Sequence, residues 1–178
     1  MGIGLVRLRL PADADAGGFH RLLSDIEVIR YILFQRHTEE EARAFVREAQ
    51  SDLVREFWTS VVRTIATTET DELVGLCGLV VQPAREDAEM WYMVDPRRWG
   101  QGIATQAARQ LLDLGFEAYN LHRLWACCVP ANPASARVLE KIGMRREGYQ
   151  RLNLKFHGEW MDTLLYAILR EEWLALKI

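Results

Sequence analysis

The stretch from Ala88 to Thr105, Ala-Glu-Met-Trp-Tyr-Met-Val-Asp-Pro-Arg-Arg-Trp-Gly-Gln-Gly-Ile-Ala-Thr, constrains this chain more than any other. Met90 to Val94 is an apolar, aromatic-rich run of strand type, and Asp95-Pro96 ends it because proline cannot continue a ladder. From Ile103 the period turns helical: Ile103, Ala104, Ala107, Ala108, Leu111 and Leu112 share one face. Between strand and helix lie Arg97, Arg98, Gly100 and Gly102. Glycines let a backbone come close to a ligand, and the amides of a helix's first turn have no partner inside the helix. The helix dipole and two arginines make the turn positive. Such a turn suits a phosphate or diphosphate.

Two common phosphate loops do not fit. A P-loop needs four residues between its glycines and then Lys-Ser/Thr; here one residue separates Gly100 from Gly102 and no Gly-Lys follows. The dinucleotide fingerprint needs Gly or Ala three places after its second glycine, where Thr105 stands, and it belongs to a first strand rather than mid-chain. Arg97-x-x-Gly100-x-Gly102 instead resembles the diphosphate loop of the GNAT superfamily of acyl-CoA-dependent N-acyltransferases. The resemblance extends over nearly the whole chain from about residue 5. It includes Leu121-His122-Arg123, Asn132-Pro133-Ala134-Ser135, Val138 to Gly143, Arg145 to Gly148 and Gly158-Glu159-Trp160, which look like the ribosomal-protein N-terminal acetyltransferase (RimJ/RimL) branch.

With 178 residues, 49% of them hydrophobic, the chain is expected to form one globular domain, 1–178. A formal charge of −3 argues against a nucleic-acid partner. No apolar run nears the roughly 18 residues that span a bilayer. No secretory signal is read, and Met1-Gly2 is followed by Val6 where myristoylation wants Ser or Thr, so the cytoplasm is expected. Cys77, Cys127 and Cys128 are odd in number and sit in apolar, strand-like surroundings, which suits reduced thiols. His20, His37, His122 and His157 show no ligand spacing with them, and no metal is expected.

Leu5 to Leu10 reads as a first strand, and Phe19 to Leu33 as one or two short helices. Thr38 with Glu41 is a capping box opening a helix whose buried face is Ala42, Phe45, Val46 and Ala49. Trp58–Thr67 and Leu73–Val81 read as strands joined by a polar turn, and Arg123–Val129 as the strand after the long helix. Asn132-Pro133 is a capped helix start and Gly143 its stop. Met144–Phe156 and Trp160–Leu169 read as long strands with a tight connection at His157-Gly158, the second a possible edge for homodimer pairing. The order implies an α+β domain. The resemblance implies a mixed, mostly antiparallel sheet flanked by helices, with splayed central strands at 88–94 and 123–129 that admit the pantetheine arm.

Acyl transfer from a thioester needs a held cofactor, a neutral amine, an oxyanion donor and a proton for the leaving thiolate. By the resemblance, acetyl-CoA lies on Met93 and Val94, on the turn Arg97, Arg98, Trp99, Gly100, Gln101, Gly102, Ile103, Ala104 and Thr105, and on Asn132 and Ser135. Glu89 is the leading base, because a carboxylate in a strand that reads buried is costly unless paired or working; Glu147 is second. Ser135, at the third position of the Asn132 helix, is implied near the thioester sulfur; alternatively Asn132 and Ser135 merely shape that turn. Many GNAT enzymes carry a tyrosine on this helix as general acid, and Pro133 to Ile142 contains none.

The expected activity is acetyl-CoA-dependent N-acetylation by direct attack in a ternary complex. A free α-amine, pKa about 7.8, is roughly one-third neutral at pH 7.5, whereas a lysine amine, about 10.4, is neutral about once in a thousand. That difference, on the order of 3 kcal/mol, favours a protein or peptide N-terminus over strongly basic amines. An aminoglycoside, polyamine or amino acid acceptor, a longer donor such as succinyl-CoA, and a non-catalytic acyl-CoA sensor stay open. The acceptor pocket is expected between Phe19–Leu53 and the final hairpin, with Phe34 and Phe156 read as core or interface.

Overall fold

The computed structural model describes residues 5–32, 34–156 and 158–177 (for Phe156 the backbone alone). In chain order the elements are β1 (Val6–Arg9), α1 (Ala16–Ser24), α2 (Ile26–Ile29), α3 (Glu39–Ala49), β2 (Leu53–Val54), β3 (Thr59–Thr67), β4 (Leu73–Gln82) and β5 (Asp87–Val94). Then follow α4 (Ile103–Asp113), β6 (Arg123–Cys128), α5 (Pro133–Lys141), β7 (Arg145–Phe156), β8 (Glu159–Leu169) and α6 (Arg170–Ala175). The strands form one sheet ordered β1-β3-β4-β5-β6-β8-β7, with β2 paired to β3. Its pairings are antiparallel except β5–β6, which is parallel, so the sheet is mixed and mostly antiparallel as expected.

The period of two along β5 splits the molecule into two faces. Ala88, Met90 and Val94 point into a core with Ala107, Ala108 and Leu111 of α4 and Leu139 of α5. Met93, opposite Leu76 of β4, points the other way, into a second core built by Phe19, Leu22 and Leu23 of α1 and Ala42 and Val46 of α3. The helical face read from Ile103 onward is buried, apart from the half-buried Ala104.

Local signals explain the helix ends. Thr38 Oγ1 accepts from the Glu41 amide at 3.3 Å while Glu41 accepts from the Thr38 amide at 2.7 Å, the reciprocal pair of a capping box. Asn132 caps α5 by accepting from the Ser135 amide at 3.2 Å, and Gly143, at φ +93°, takes the left-handed turn that ends it. Weaker signals left no trace in the sequence reading. The two-residue β2, the short α6 and two register shifts in β7 belong to this class.

One expectation is corrected: Trp160–Leu169 is no sheet edge, because β8 lies between β6 and β7, and β7 is the outer strand. Leu33 and His157, read as helix and hairpin residues, lie outside the described residues, as does the Met1-Gly2 terminus. Among the described residues no helix is long and apolar enough to cross a membrane.

Gly78 of β4 stands opposite Trp91 of β5, and an added Cβ would lie 2.2 Å from the Val61 carbonyl oxygen and 2.7 Å from the indole. The missing side chain lets the indole lie across β4. Gly78→Ala is therefore expected to destabilise by about 1–3 kcal/mol, the usual cost of overpacking. At about 2–4 °C per kcal/mol for a chain of this size, thermal unfolding should show a clear fall in Tm; an unchanged Tm would contradict the packing.

Candidate active site

β5 and β6 pair only over Asp87–Glu89 and Arg123–Trp125. Beyond that the strands part, and a cleft of about 700 Å³ passes between Met90–Val94 and Ala126–Val129. The splay implied by the resemblance is thus visible in the register. Because β5 alternates its side chains, the cleft receives groups from both faces of the sheet.

At one end is the turn after β5. Asp95 is buried and organises it: its carboxylate accepts from the Arg97 amide and Nε, both at 3.0 Å, and from Arg97 Nη2 at 2.6 Å. The Arg97 guanidinium holds the Asp95 carboxyl down at about 2. The Arg98 amide donates to Asp95 O at 2.8 Å and that of Trp99 to Pro96 O at 3.2 Å. The amides of residues 97–99 are therefore spent inside the protein, and the site's supply begins at Gly100. Among the described residues no acceptor engages the amides of 100–105; the first helical bond runs from the Gln106 amide to Gly102 O. Gly100 and Gly102 have φ of +76° and +79°, with open space where a Cβ would stand. Left-handed backbone, free amides and a helix start converge there, the elements of an anion seat.

The arginines divide their work differently from expectation. Arg97 is occupied by Asp95 and does not line the cleft, nor does Gln101; Arg98 lines it while paired to Glu72 at 2.8 Å. Trp99, Ile103, Ala104 and Thr105 line the same end. Met93 and Val94 form the wall, with the Val94 carbonyl accepting from Trp99 Nε1 at 2.8 Å.

Deeper in, Asn132 and Ser135 reach the cleft from α5. Asn132 spends its oxygen on the cap, which leaves its amide protons for a ligand. Ser135 Oγ lies 2.9 Å from the hydroxyl of Tyr92, which also donates to Ser135 O at 3.2 Å. Burial pushes the Tyr92 hydroxyl far above its usual range, so it keeps its proton. Sequence reasoning passed over Tyr92 by searching for a tyrosine on α5, whereas this one reaches Ser135 from the neighbouring strand. The available signal was its parity with Met90 and Val94, which aims it at the helix face.

Glu89 points to the opposite face, beside Val80 of β4. It is half-buried in the cleft wall, and among the described residues no hydrogen bond or ion pair reaches its carboxylate. Burial pushes its pKa up. Glu147 is brought elsewhere: both its oxygens are held by Arg123, at 2.8 and 2.5 Å, which depresses its pKa, and it does not line the cleft. The structure thus brings Glu89, and not Glu147, to the cleft. Cys127 faces the cleft, but burial and the nearby Glu89 raise its pKa, so it is a poor nucleophile. Among the described residues no three His, Cys, Asp or Glu side chains gather as a metal set.

Residues 6–145 match the acetyltransferase (GNAT) domain family. The chain is 37% identical over 150 residues to the uncharacterized N-acetyltransferase YnaD of Bacillus subtilis (strain 168), covering 84% of this chain and 85% of that protein. It is 28% identical over 172 residues to a spermidine N(1)-acetyltransferase of Escherichia coli (strain K12), covering 96% and 89%. A crystal structure of a GNAT-family acetyltransferase from Bacillus anthracis superposes with a TM-score of 0.84 at 31% identity, covering 96% of this chain and 98% of that one.

Asp95→Ala should loosen the turn by stranding the Arg97 amide, at a cost of about 1–3 kcal/mol. The carboxyl's folded pKa is depressed, so its contribution is present above the ordinary aspartate value, about 4, and is lost as pH falls through about 2. Thermal melts of wild type and variant should therefore differ at pH 7 and converge as pH approaches 2. A gap that ignores pH would contradict the assignment.

Proposed function

Because the chain belongs to the GNAT acetyltransferase family, and is thereby an N-acetyltransferase, we propose that it moves the acetyl group of acetyl-CoA to a primary amine by direct attack in a ternary complex. The observation that carries this reading is the cleft between β5 and β6, with amides at one end and a carboxylate at the other that find no partner among the described residues. The coenzyme's diphosphate lies on the amides of 100–105, and Asn132 offers its amide protons to the pantetheine arm. Glu89 takes a proton from the acceptor ammonium; its raised pKa brings it nearer to the amine it serves, which general-base catalysis favours. The neutral nitrogen attacks the thioester carbonyl, forming the C–N bond, and the C–S bond breaks as the tetrahedral adduct collapses.

Ser135 gives its hydroxyl proton to the departing thiolate and regains one from the attacking nitrogen, which is left as the neutral amide. Tyr92 has one proton and two acceptors on Ser135. When that proton turns to Oγ, the serine proton is free to point into the cleft. A protonated Cys127 leaves no reason for a covalent acyl-enzyme. For the acceptor, the deprotonation argument favours a protein or peptide N-terminus, in keeping with the RimJ/RimL resemblance. The spermidine acetyltransferase relative supports a small amine as the second reading.

Glu89→Gln should lower kcat by about 10²–10⁴-fold with the acetyl-CoA Kd little changed. The same variant should gain stability. A raised folded pKa means the charged form is disfavoured by folding, so the native Glu89 costs stability as pH rises above the ordinary glutamate value, about 4. The Tm of Glu89→Gln should exceed wild type at pH 7 and match it near pH 4. If turnover is unaffected, or the variant melts lower at neutral pH, Glu89 is not the base.

Tyr92→Phe and Ser135→Ala should each reduce kcat, with the double variant little worse than Ser135→Ala, since the two hydroxyls act in series. Additive losses would argue against a shared path. Saturating acetyl-CoA at 100 times Kd should add about 2.7 kcal/mol to stability. That shift without thiol release against any amine would instead mark an acyl-CoA sensor.

A further inference from the structure

A second cavity, of about 570 Å³, opens beside the cleft on the face that carries Glu89. It lies over β3 and β4 and is walled by Phe34, Phe45, Phe57 and Trp58. Phe34, Val80 and Trp91 line both spaces, so the two adjoin. Val80 is the register partner of Glu89, which places the shared wall next to the base. We propose that this annex binds the side chain of the acceptor, and that the acceptor is a primary amine bearing an aromatic or large aliphatic group. The inference rests on the acetyl-transfer reading of the cleft and names the substrate class for it.

Three observations support an apolar occupant. The lining contains no charged residue among those described, and its polar members are the neutral Ser60 and Gln82. A second ammonium, as in a polyamine, would lose its hydration there without a carboxylate in return. Phe57 is 74% exposed and Trp58 38%, so large aromatic faces at the mouth remain open, as they would not if they served only the core. The walls are also preset: Phe34 packs on Trp91 at 5.2 Å and on Phe45 at 5.8 Å between ring centroids, and Gly78 leaves the floor on which the Trp91 indole lies. Rigid aromatic walls select a ring or branched chain over a short alkyl group by contact area.

The geometry assigns the amine nitrogen to the Glu89 side of the shared wall and its substituent to the far side of Trp91. A pocket that takes apolar groups discriminates by roughly 10–200-fold per methylene-sized difference. The test compares phenethylamine, phenylalaninamide, n-propylamine and spermidine as acceptors, following free CoA thiol, for wild type and for Ser60→Phe, which fills the annex. A thermal shift with acetyl-CoA shows that each protein is folded and loaded. Trp58→Ala serves as a second variant that opens the mouth without filling it.

Wild type should use phenethylamine and phenylalaninamide with kcat/KM at least about tenfold above n-propylamine and spermidine. Ser60→Phe should bring the phenethylamine to n-propylamine ratio toward one, and Trp58→Ala should lower it. Preference for phenylalaninamide over phenethylamine would identify the source as an amino-terminal residue, and the reverse a free arylalkylamine; either supports the annex. Equal or better use of n-propylamine or spermidine, or a ratio indifferent to both variants, overturns the inference while acetyl transfer stands. No thiol release with any of the four, together with no acetyl-CoA shift, overturns the transfer reading and the inference with it.

Discussion

The fold turns on a pairing that stops. β5 and β6 run parallel and share a ladder for three residues, then part while each keeps its outer neighbour, β4 on one side and β8 on the other. A strand edge inside a sheet presents unpaired amides and carbonyls, which are costly to bury without partners. Here the gap is wide enough for a ligand and is walled by apolar side chains from both cores. The exposed edges are thus available to a chain-like ligand that carries its own amides. The cores hold the gap open, because α4 and α5 pack on one face and α1 to α3 on the other.

The same gap lets chemistry pass from one face of the sheet to the other. Tyr92 and Glu89 are three residues apart on one strand and so point to opposite faces. The proposed acid pair, Tyr92 with Ser135, sits on the α5 side; the proposed base, Glu89, sits on the side of α1 to α3. In an uninterrupted sheet these groups would be separated by a layer of backbone. Their environments push them in useful directions, since burial keeps the tyrosine protonated and makes the glutamate readier to accept a proton. The turn at Asp95 completes the arrangement by consuming the amides of 97–99, while Gly100 and Gly102 to Thr105 line the cleft.

Much of this was legible in the sequence where a residue type has few physical uses. Pro96, Gly100 and Gly102 marked the turn, the i, i+3, i+4 pattern from Ile103 marked the long helix, and Asn132-Pro133 with Gly143 bracketed α5. Glu89 stood out because a carboxylate interrupts an apolar run. The reading faltered where tertiary context decides. The fates of Arg97 and Arg98 depended on Asp95 and on Glu72 from a distant turn, and Glu147 was captured by Arg123 across the sheet. Tyr92 looked like one more apolar strand residue until α5 placed Ser135 against it. β7 replaced β8 as the outer strand because alternation specifies faces and not the order of strands.

A crystal structure of the acetyl-CoA complex tests the central claim most directly. The diphosphate should lie within hydrogen-bond distance of the amides of 100–105, with the pantetheine arm between β5 and β6 and the thioester sulfur near Ser135 Oγ. A coenzyme bound with its diphosphate away from that turn, or with its arm outside the gap, would contradict it.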